Sequence, residues 1–265
     1  MATVPASVTL STGLTLSYAH HGDPSGQAVV LLPGPTDSWR SYRFVLDRLP
    51  SSIYAVAVSQ RGHGDSDKPS SGYRVEDFAA DVCPLLDALD IEKPVLVGHS
   101  GSCLVARRFA INHPDRVAGL VLEASPTTLR NDPGLTDYVE SVVSRLEDPI
   151  DPGFARALVV STSSDALAPE TIDELVDESL KVPARVWRET FAGLLHNDDL
   201  AELGGIKVPT QLIWGDADTI VGAEMQELLL ARISHASLLT YAGVGHTPRW
   251  EDPERFAGDV AAFIP

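Results

Sequence analysis

Pro94-Val95-Leu96-Val97-Gly98-His99-Ser100-Gly101-Ser102 is the stretch of this chain that says most about its fold. It begins as a continuous apolar run, which is typical of a strand buried on both faces of a parallel sheet. It ends in a pattern with helical spacing that continues to about Asn112. A serine there also fits an ordinary helix N-cap. Because small residues stand two positions before and after it, we favour a nucleophile elbow, a sharp strand-to-helix turn that exposes Ser100 at the sheet end.

Similar buried runs occur on both sides of the elbow and alternate with helix-like segments. Alternating strands and helices predict an α/β fold with a mostly parallel, doubly wound sheet. Residues 9–18 alternate in period two around a Thr-Gly turn, which predicts an N-terminal hairpin with one wet face. The predicted strands are Ala28–Leu32, Ile53–Val58, Val95–Gly98, Val117–Leu122, Thr210–Trp214 and Ser237–Tyr241; the predicted helices of this part are a short one ending at Leu49, Val75–Leu89, Ser100–Asn112 and Pro253–Ile264.

The pattern changes in the middle of the chain, where strand-like runs nearly vanish. Four or five helix-like stretches follow there, three of them with a proline at or near the start, where a missing N–H costs little. We therefore expect residues 127–206 to form a helical cap inserted into a core made of residues 1–126 and 207–265. The predicted cap helices include Leu135–Leu146, Pro152–Val160, Pro169–Leu180 and Pro183–Leu195.

Charge and composition restrict the partners that the protein can have. The chain has 265 residues and a formal net charge of −17, with 20 Lys and Arg against 37 Asp and Glu. No basic stripe is available to displace counterions from nucleic acid or to bind an anionic membrane. No apolar run approaches the roughly 18–20 residues of a membrane helix. The start at Met1 lacks the features of a signal peptide, so we expect a cytoplasmic protein.

Cofactor and metal signals are weak throughout. The two cysteines, Cys83 and Cys103, have no cysteine or histidine neighbours at metal-ligand spacing. Neither a GxGxxG after a strand nor a GxxxxGK[ST] loop occurs. We expect no cofactor and no metal.

A nucleophilic serine needs a base, and the base needs a carboxylate to orient it. His246 follows the last predicted strand, and Asp218 follows the strand that ends at Trp214. Both therefore lie beyond the carboxyl ends of strands, where open α/β sheets bind ligands. We predict His246 as the base and Asp218 as the acid. Asp216 in the same loop and Glu123 at the end of another strand remain alternatives.

Together these residues resemble the α/β-hydrolase superfamily with a helical cap, over nearly the whole chain. The resemblance implies Ser100 as nucleophile, Asp218 as acid and His246 as base. A serine at the elbow excludes the usual covalent route of the family's epoxide hydrolases and haloalkane dehalogenases, which use aspartate there. The stretches that carry the resemblance are Leu31-Leu32-Pro33-Gly34, Arg61-Gly62-His63-Gly64-Asp65-Ser66, the elbow, Trp214-Gly215-Asp216-Ala217-Asp218 and Gly245-His246 with Trp250-Glu251-Asp252-Pro253.

The loop after the first parallel strand departs from the family. It usually reads His-Gly-x, and the N–H of x joins that of the residue after the nucleophile to bind an oxyanion. Here x is Pro35, which has no N–H, so only Gly101 keeps the usual donor role. Thr36, through its N–H or hydroxyl, or Gly34, through its N–H, would have to supply the second donor, or the hole is weak. We favour Thr36.

Four further residues are candidates for substrate contact. His99 and Trp39 lie next to or near the predicted catalytic loops, and Trp187 and Phe191 lie at helical spacing in the predicted cap. Each also fits an ordinary packing role.

The resulting hypothesis is a cofactor-free serine hydrolase of a small or medium apolar carboxylic ester or lactone, present as a monomer or homodimer. A carbon–carbon bond hydrolase or a perhydrolase on the same scaffold is the first alternative. A ligand-binding sensor with slow incidental hydrolysis is the second, and the proline in the oxyanion loop is its best support.

Overall fold

An eight-stranded sheet lies at the centre of the protein. The computed structural model describes residues 2–130, 132–163 and 167–264. The strands are ordered β1-β2-β4-β3-β5-β6-β7-β8 across the sheet; β1 and β2 are antiparallel, and β3 to β8 are parallel to one another. The strands are β1 (Val4–Thr9), β2 (Thr15–His21), β3 (Gln27–Leu32), β4 (Ile53–Val58), β5 (Val95–His99), β6 (Gly119–Glu123), β7 (Thr210–Gly215) and β8 (Ala236–Tyr241).

Helices cover both faces of this sheet, which explains why its central strands are continuous apolar runs. Successive residues of β3 point to opposite faces: Val30 and Leu32 join one apolar cluster, and Val29 and Leu31 join the other. All six residues of β4 are buried. The predicted mostly parallel α/β sheet is therefore confirmed.

Ten α-helices lie between and around the strands in the part of the chain that the structure describes. One of them differs from expectation by several residues. The helix predicted to begin at Leu135 begins at Pro133, because the Asp132 carboxylate caps it by accepting from Leu135 N, and it ends at Ser141 before a short 3-10 turn. The helices are α1 (Arg43–Leu46), α2 (Val75–Ala88), α3 (Gly101–Asn112), α4 (Pro133–Ser141), α5 (Pro152–Ser161), α6 (Pro169–Leu180), α7 (Ala184–Leu194), α8 (Ala223–Arg232), α9 (Pro248–Glu251) and α10 (Pro253–Phe263).

Helices α4 to α7 form one segment between β6 and β7, and we call residues 127–206 the helical segment. Its two ends are tied to α3 by Arg107, whose guanidinium pairs with Asp199 at 2.9 Å and donates to the carbonyls of Pro126 and Thr127. Both charged side chains of that pair are fully buried.

The sheet places three chain segments at one edge. Because β5, β7 and β8 run parallel, their carboxyl ends lie at the same edge, and Ser100, Asp218 and His246 follow these strands in turn. Over the described ranges, none of the helices has the length and apolar character needed to span a membrane.

Candidate active site

Ser100 occupies a strained turn between β5 and α3. Its backbone has φ 52° and ψ −123°, a conformation that non-glycine residues rarely adopt. The turn requires Gly98, since a Cβ there would lie 2.7 Å from the carbonyl oxygen of Ser102. Ser100 is thereby held at the head of α3, where the first N–H groups of the helix have no partner within it.

A chain of hydrogen bonds joins Ser100, His246 and Asp218. Nε2 of His246 lies 2.9 Å from Oγ of Ser100, and Nδ1 lies 2.8 Å from Oδ2 of Asp218. A carboxylate only accepts, so Nδ1 carries the proton and Nε2 is free to accept from the serine hydroxyl. Asp218 is fixed in turn, because its Oδ1 accepts from the backbone N–H groups of Ile220 and Val221 at 2.8 and 3.0 Å.

The two alternative acids have other partners. Asp216 accepts from the N–H of Gly243 at 2.6 Å. Glu123 is fully buried, accepts from the Tyr42 hydroxyl at 3.0 Å and pairs with Arg249. Burial raises the pKa of Glu123, and Arg249 opposes that rise. Among the three carboxylates it is Asp218 that contacts the imidazole.

The backbone of His246 is held from both sides. Its carbonyl accepts from Nε2 of His99 at 3.0 Å, and its N–H donates to the carbonyl of Thr162, just after α5, at 3.0 Å. Burial lowers the pKa of His99 well below its ordinary value, and the cationic Arg249 lowers it further. His99 is therefore a neutral ring that donates one hydrogen bond, and the helical segment contacts the histidine loop directly.

The loop that precedes α1 is fastened to the elbow by Ser102. Its hydroxyl donates to the carbonyl of Pro33 at 2.6 Å, and Gln60 donates to both of these oxygens. The Pro35 ring packs against the elbow, since a Cβ on Gly101 would lie 2.9 Å from its Cγ. The serine that replaces the family's second glycine thus ties this loop to α3.

Thr36 follows Pro35 in a left-handed conformation, with φ 72°. It is 4% exposed and lines the cavity described below. Over the described residues, neither its N–H nor its hydroxyl has a hydrogen-bond partner. The carbonyl of Gly34 accepts the Asp37 N–H at 3.2 Å, and over the described residues the N–H of Gly34 has no partner either. The donors of both candidates are therefore available to a ligand.

A buried ionic cluster lies behind this loop. Arg249, fully buried, donates to Asp37 at 2.7 Å, to Ser41 at 2.9 Å and to Glu123 at 3.3 Å. Burial raises the pKa of Asp37, and the charge of Arg249 opposes that rise. Burial alone would lower the pKa of Arg249, but the carboxylates of Glu123 and Asp37 raise it. The cluster links the loop of Thr36 to α9, which starts two residues after His246.

A cavity of about 440 Å³ opens in front of Ser100. Its volume is within the roughly 300–1,000 Å³ range of small-molecule sites. One side of the cavity is formed by the loops that carry Ser100, Asp218 and His246. The other side is a mainly apolar wall, which the helical segment supplies. The wall residues from this segment are Leu129, Asp132, Gly134, Leu135, Tyr138, Leu158, Val159, Thr162, Phe191 and Leu194.

The residues expected to contact substrate are only partly brought together. Gly34, Pro35, Thr36, Gly101, His99 and Phe191 line the cavity. Trp39 and Trp187 do not: Trp39 is buried against the sheet, and Trp187 is fully buried and stacks on Phe191 at 5.9 Å between ring centroids. Trp39 belongs to one of the two apolar clusters of the core and Trp187 to the other, so both rings bury their area there.

The sequence interpretation missed Asp37, Tyr138 and Arg249. Asp37 had a usable signal, since it follows the predicted oxyanion residues directly. Arg249 also had one, three residues after His246, but a buried arginine cannot be recognised until its partners are known. In the described part of the chain no group of three or more His, Cys, Asp or Glu side chains is placed to hold a metal ion.

With this geometry established, comparison with known proteins identifies the family. A family model described as alpha/beta hydrolase fold matches residues 27–253. The chain therefore belongs to the α/β-hydrolase family, as the resemblance implied.

Individual relatives are diverse. A non-heme chloroperoxidase from Streptomyces lividans is 28% identical over 277 residues, covering 97% of this chain and 98% of that protein. The solved esterase from Exiguobacterium antarcticum superposes with a TM-score of 0.88 at 19% identity, over 98% of this chain and 99% of that one. The enol-lactonase from Burkholderia xenovorans LB400 gives 0.82 at 18% identity, over 97% and 99%. At such low identity the two structures show a shared fold alone.

Proposed function

We propose that the protein is a serine hydrolase that cleaves a carboxylic ester or lactone through an acyl-enzyme. The observation that carries this proposal is the hydrogen-bonded series Ser100, His246 and Asp218 at the wall of the 440 Å³ cavity. The three side chains stand in the roles of nucleophile, base and orienting acid. Residues 127–206 act as a cap that closes the apolar side of the cavity.

The proposed reaction has two halves. In the first, Nε2 of His246 takes the proton of Ser100 as Oγ attacks the carbonyl carbon; the same proton then passes to the leaving alcohol as the ester bond breaks. In the second, His246 takes a proton from water, whose oxygen attacks the acyl-enzyme and releases the acid. Asp218 holds the ring in its tautomer and stabilises its charged form in both halves. Gly101 N–H and a Thr36 donor bind the oxyanion.

A short-chain p-nitrophenyl ester tests this mechanism. We expect a burst of nitrophenolate approaching one equivalent per protein, followed by slower turnover, because deacylation of an activated ester is the slower half. Ser100→Ala should lose both burst and turnover. Ser141→Ala, an exposed serine on α4, is the matched control and should keep both. Turnover that survives in Ser100→Ala would contradict the proposal.

Perhydrolysis is a second candidate, favoured by the similarity to the chloroperoxidase over nearly the full length of both chains. In this reaction hydrogen peroxide replaces water in the second half: its oxygen attacks the acyl-enzyme, the ester bond to Ser100 breaks, and a peracid leaves. Peracid formed from an ester and peroxide can be measured by oxidation of bromide. No peracid above the uncatalysed rate, in a protein that hydrolyses the same ester, would reject this candidate.

A further inference from the structure

The carboxylates that line the cavity have no permanently cationic side chain beside them in the described lining. Asp37 and Asp132 line the cavity, and none of its described lining residues is Lys or Arg. The residues outside the described ranges, Met1, Asn131, 164–166 and Pro265, include no Lys or Arg either. Among the described lining residues, His246 is the one that becomes a cation in the proposed reaction, when it takes up the proton of Ser100 or of water.

The two arginines that are sequence neighbours of lining residues already have acidic partners. Arg249 is fully buried and divides its donors between Asp37, Ser41 and Glu123. Arg130, next to Leu129 in the chain, has a side chain 58% exposed and lies 3.6 Å from Asp198. Neither lines the cavity.

A carboxylate that enters this cavity would lose water without gaining a counterion. An unpaired ion in an apolar site costs several-fold more than a hydrogen-bonded neutral group, and nearby like charges add to that cost. The net charge of −17 opposes the approach of an anion as well. An uncharged acyl chain meets none of these penalties and buries its apolar surface against the helical segment.

We propose, building on the proposed function, that this site accepts esters with an uncharged acyl chain and excludes those whose acyl chain ends in a carboxylate, with Asp132 as a specificity-determining residue. Asp132 belongs to the part of the lining that the helical segment supplies, and the proposal places the end of the acyl chain against that part. Its Oδ1 caps α4, so its carboxylate is fixed at this wall.

Three matched esters of p-nitrophenol test the charge rule: 6-methylheptanoate, the monoester of adipic acid, and 5-trimethylammoniopentanoate. Their chain ends begin at the same atom of the chain, differ by at most one heavy atom, and are neutral, anionic and cationic. We expect kcat/KM for the adipate ester at least about 100-fold below that of 6-methylheptanoate, and that of the cationic ester within about tenfold of it. Adipate within threefold of the neutral ester would overturn the rule. Equal rejection of both ions would also overturn it, since charge sign would then be irrelevant.

The variant Asp132→Asn distinguishes the effect of the Asp132 charge on ester selectivity from the effect of the protein's overall negative charge. Asparagine also caps helices well, so α4 should persist. We expect the discrimination against the adipate ester to fall on the order of fivefold, the size expected for one charge roughly 4 Å away that is screened as in bulk water. Asp177→Asn on α6, an exposed acid outside the cavity lining, removes the same charge and should leave the ratio unchanged. Equal effects of the two variants would reject the assignment to Asp132. If none of the three esters is hydrolysed, the proposed function fails instead.

A different observation, the strain at Thr36, carries a second inference. A β-branched residue at φ 72° is disfavoured and persists only where its surroundings hold it. The carboxylate of the next residue, Asp37, accepts two hydrogen bonds. The Arg249 guanidinium donates one at 2.7 Å, and the Ser41 hydroxyl donates the other at 2.9 Å. Arg249 is itself anchored by Glu123, whose backbone carbonyl accepts the N–H of Ser100 at 2.9 Å.

The geometry points to Asp37 as a positioning residue that keeps Thr36 in its left-handed conformation, and so keeps the Thr36 donors at the cavity. This inference rests on the proposed hydrolysis. It predicts that Asp37 acts through Thr36 and does not contact the reacting atoms. Loss of Asp37 should therefore lower kcat far more than it changes KM.

A double-mutant cycle tests that route. Asp37→Ala should lower kcat about tenfold with KM within about twofold, and it should fold, because Arg249 keeps Glu123 as a partner. Glycine adopts positive φ at no steric cost. In a Thr36→Gly background the same Asp37→Ala change should therefore lower kcat less than threefold. An equal loss in both backgrounds would overturn the inference, as would no loss in either. Asp37→Asn gives the same cycle at smaller amplitude if the alanine variant is unstable.

Discussion

The hydroxyl of Thr36 belongs to the residue that follows Pro35, the position that lacks the family's usual N–H donor. Thr36→Val removes it while keeping the shape and branching of the side chain. If the hydroxyl binds the oxyanion, kcat should fall about 100-fold with a much smaller change in KM, because a donor lost from such a hole costs about 100- to 1,000-fold. Steady-state kinetics on one neutral ester measure both constants.

Thr171→Val provides the matched control for that substitution. Thr171 is buried on α6 and lies outside the cavity lining, so its variant should keep the kcat of the original protein. A Thr36→Val protein with unchanged kcat would exclude the hydroxyl, leaving the backbone N–H as the donor.

Side-chain roles at this site could be predicted only as far as the chain order allows. Ser100 and His246 each had one candidate position at a strand end. Asp216 and Asp218 share a loop, and the difference between them is that the N–H groups of Ile220 and Val221 turn back onto Asp218. No pattern in the sequence encodes that turn.

Helix α3 connects Ser100, the proposed nucleophile, to the helical segment through Arg107. Because Arg107 and Asp199 are both fully buried, removal of one partner leaves an uncompensated charge. We expect Asp199→Ala to lower the free energy of unfolding by about 3–5 kcal/mol, as such buried pairs usually do. Urea denaturation measures the change.

The neighbouring Asp198 makes a closely matched comparison. Its carboxylate is 39% exposed and lies 3.6 Å from the exposed Arg130, so Asp198→Ala should cost less than about 1 kcal/mol. Similar losses for the two variants would show that the buried pair does not anchor the helical segment.

The strands and most helices could be predicted at this scale because their signals are local. An apolar run such as Ile53–Val58 can bury the side chains on both of its faces only as a strand between two helical layers. The ends of α4 could not be predicted as well, since they depend on one capping carboxylate. Trp187 could not be placed either, because the face that α7 turns towards the cavity depends on its neighbours and not on its own period.

Over the whole molecule, buried histidines make stability depend on acidity. Burial lowers the pKa of His63 from 6.5 to about 4, and its Nδ1 donates to the carbonyl of Arg61 at 2.8 Å. The folded state therefore binds fewer protons than the unfolded chain between these two values, so stability is full above pH 6.5 and is lost as the pH falls towards 4. His99 contributes in the same direction.

His63→Asn should reduce this dependence. Between pH 7 and pH 4.5 the free energy of unfolding should fall in both proteins. We expect the fall in His63→Asn to be about 2 kcal/mol smaller than the fall in the original protein. His235→Asn, at an exposed histidine, should leave the fall unchanged. Denaturation series at the two pH values give the comparison, and equal falls in His63→Asn and the original protein would show that His63 is not held neutral.

Active-site labelling tests the central assignment of Ser100 most directly. The protein is incubated with an alkyl fluorophosphonate, and the labelled peptide is identified by mass spectrometry. We expect one adduct per chain, on Ser100, formed much more slowly in His246→Ala and absent in Ser100→Ala. An active protein that carries no adduct on Ser100, or carries its adduct on another side chain, would contradict the assignment.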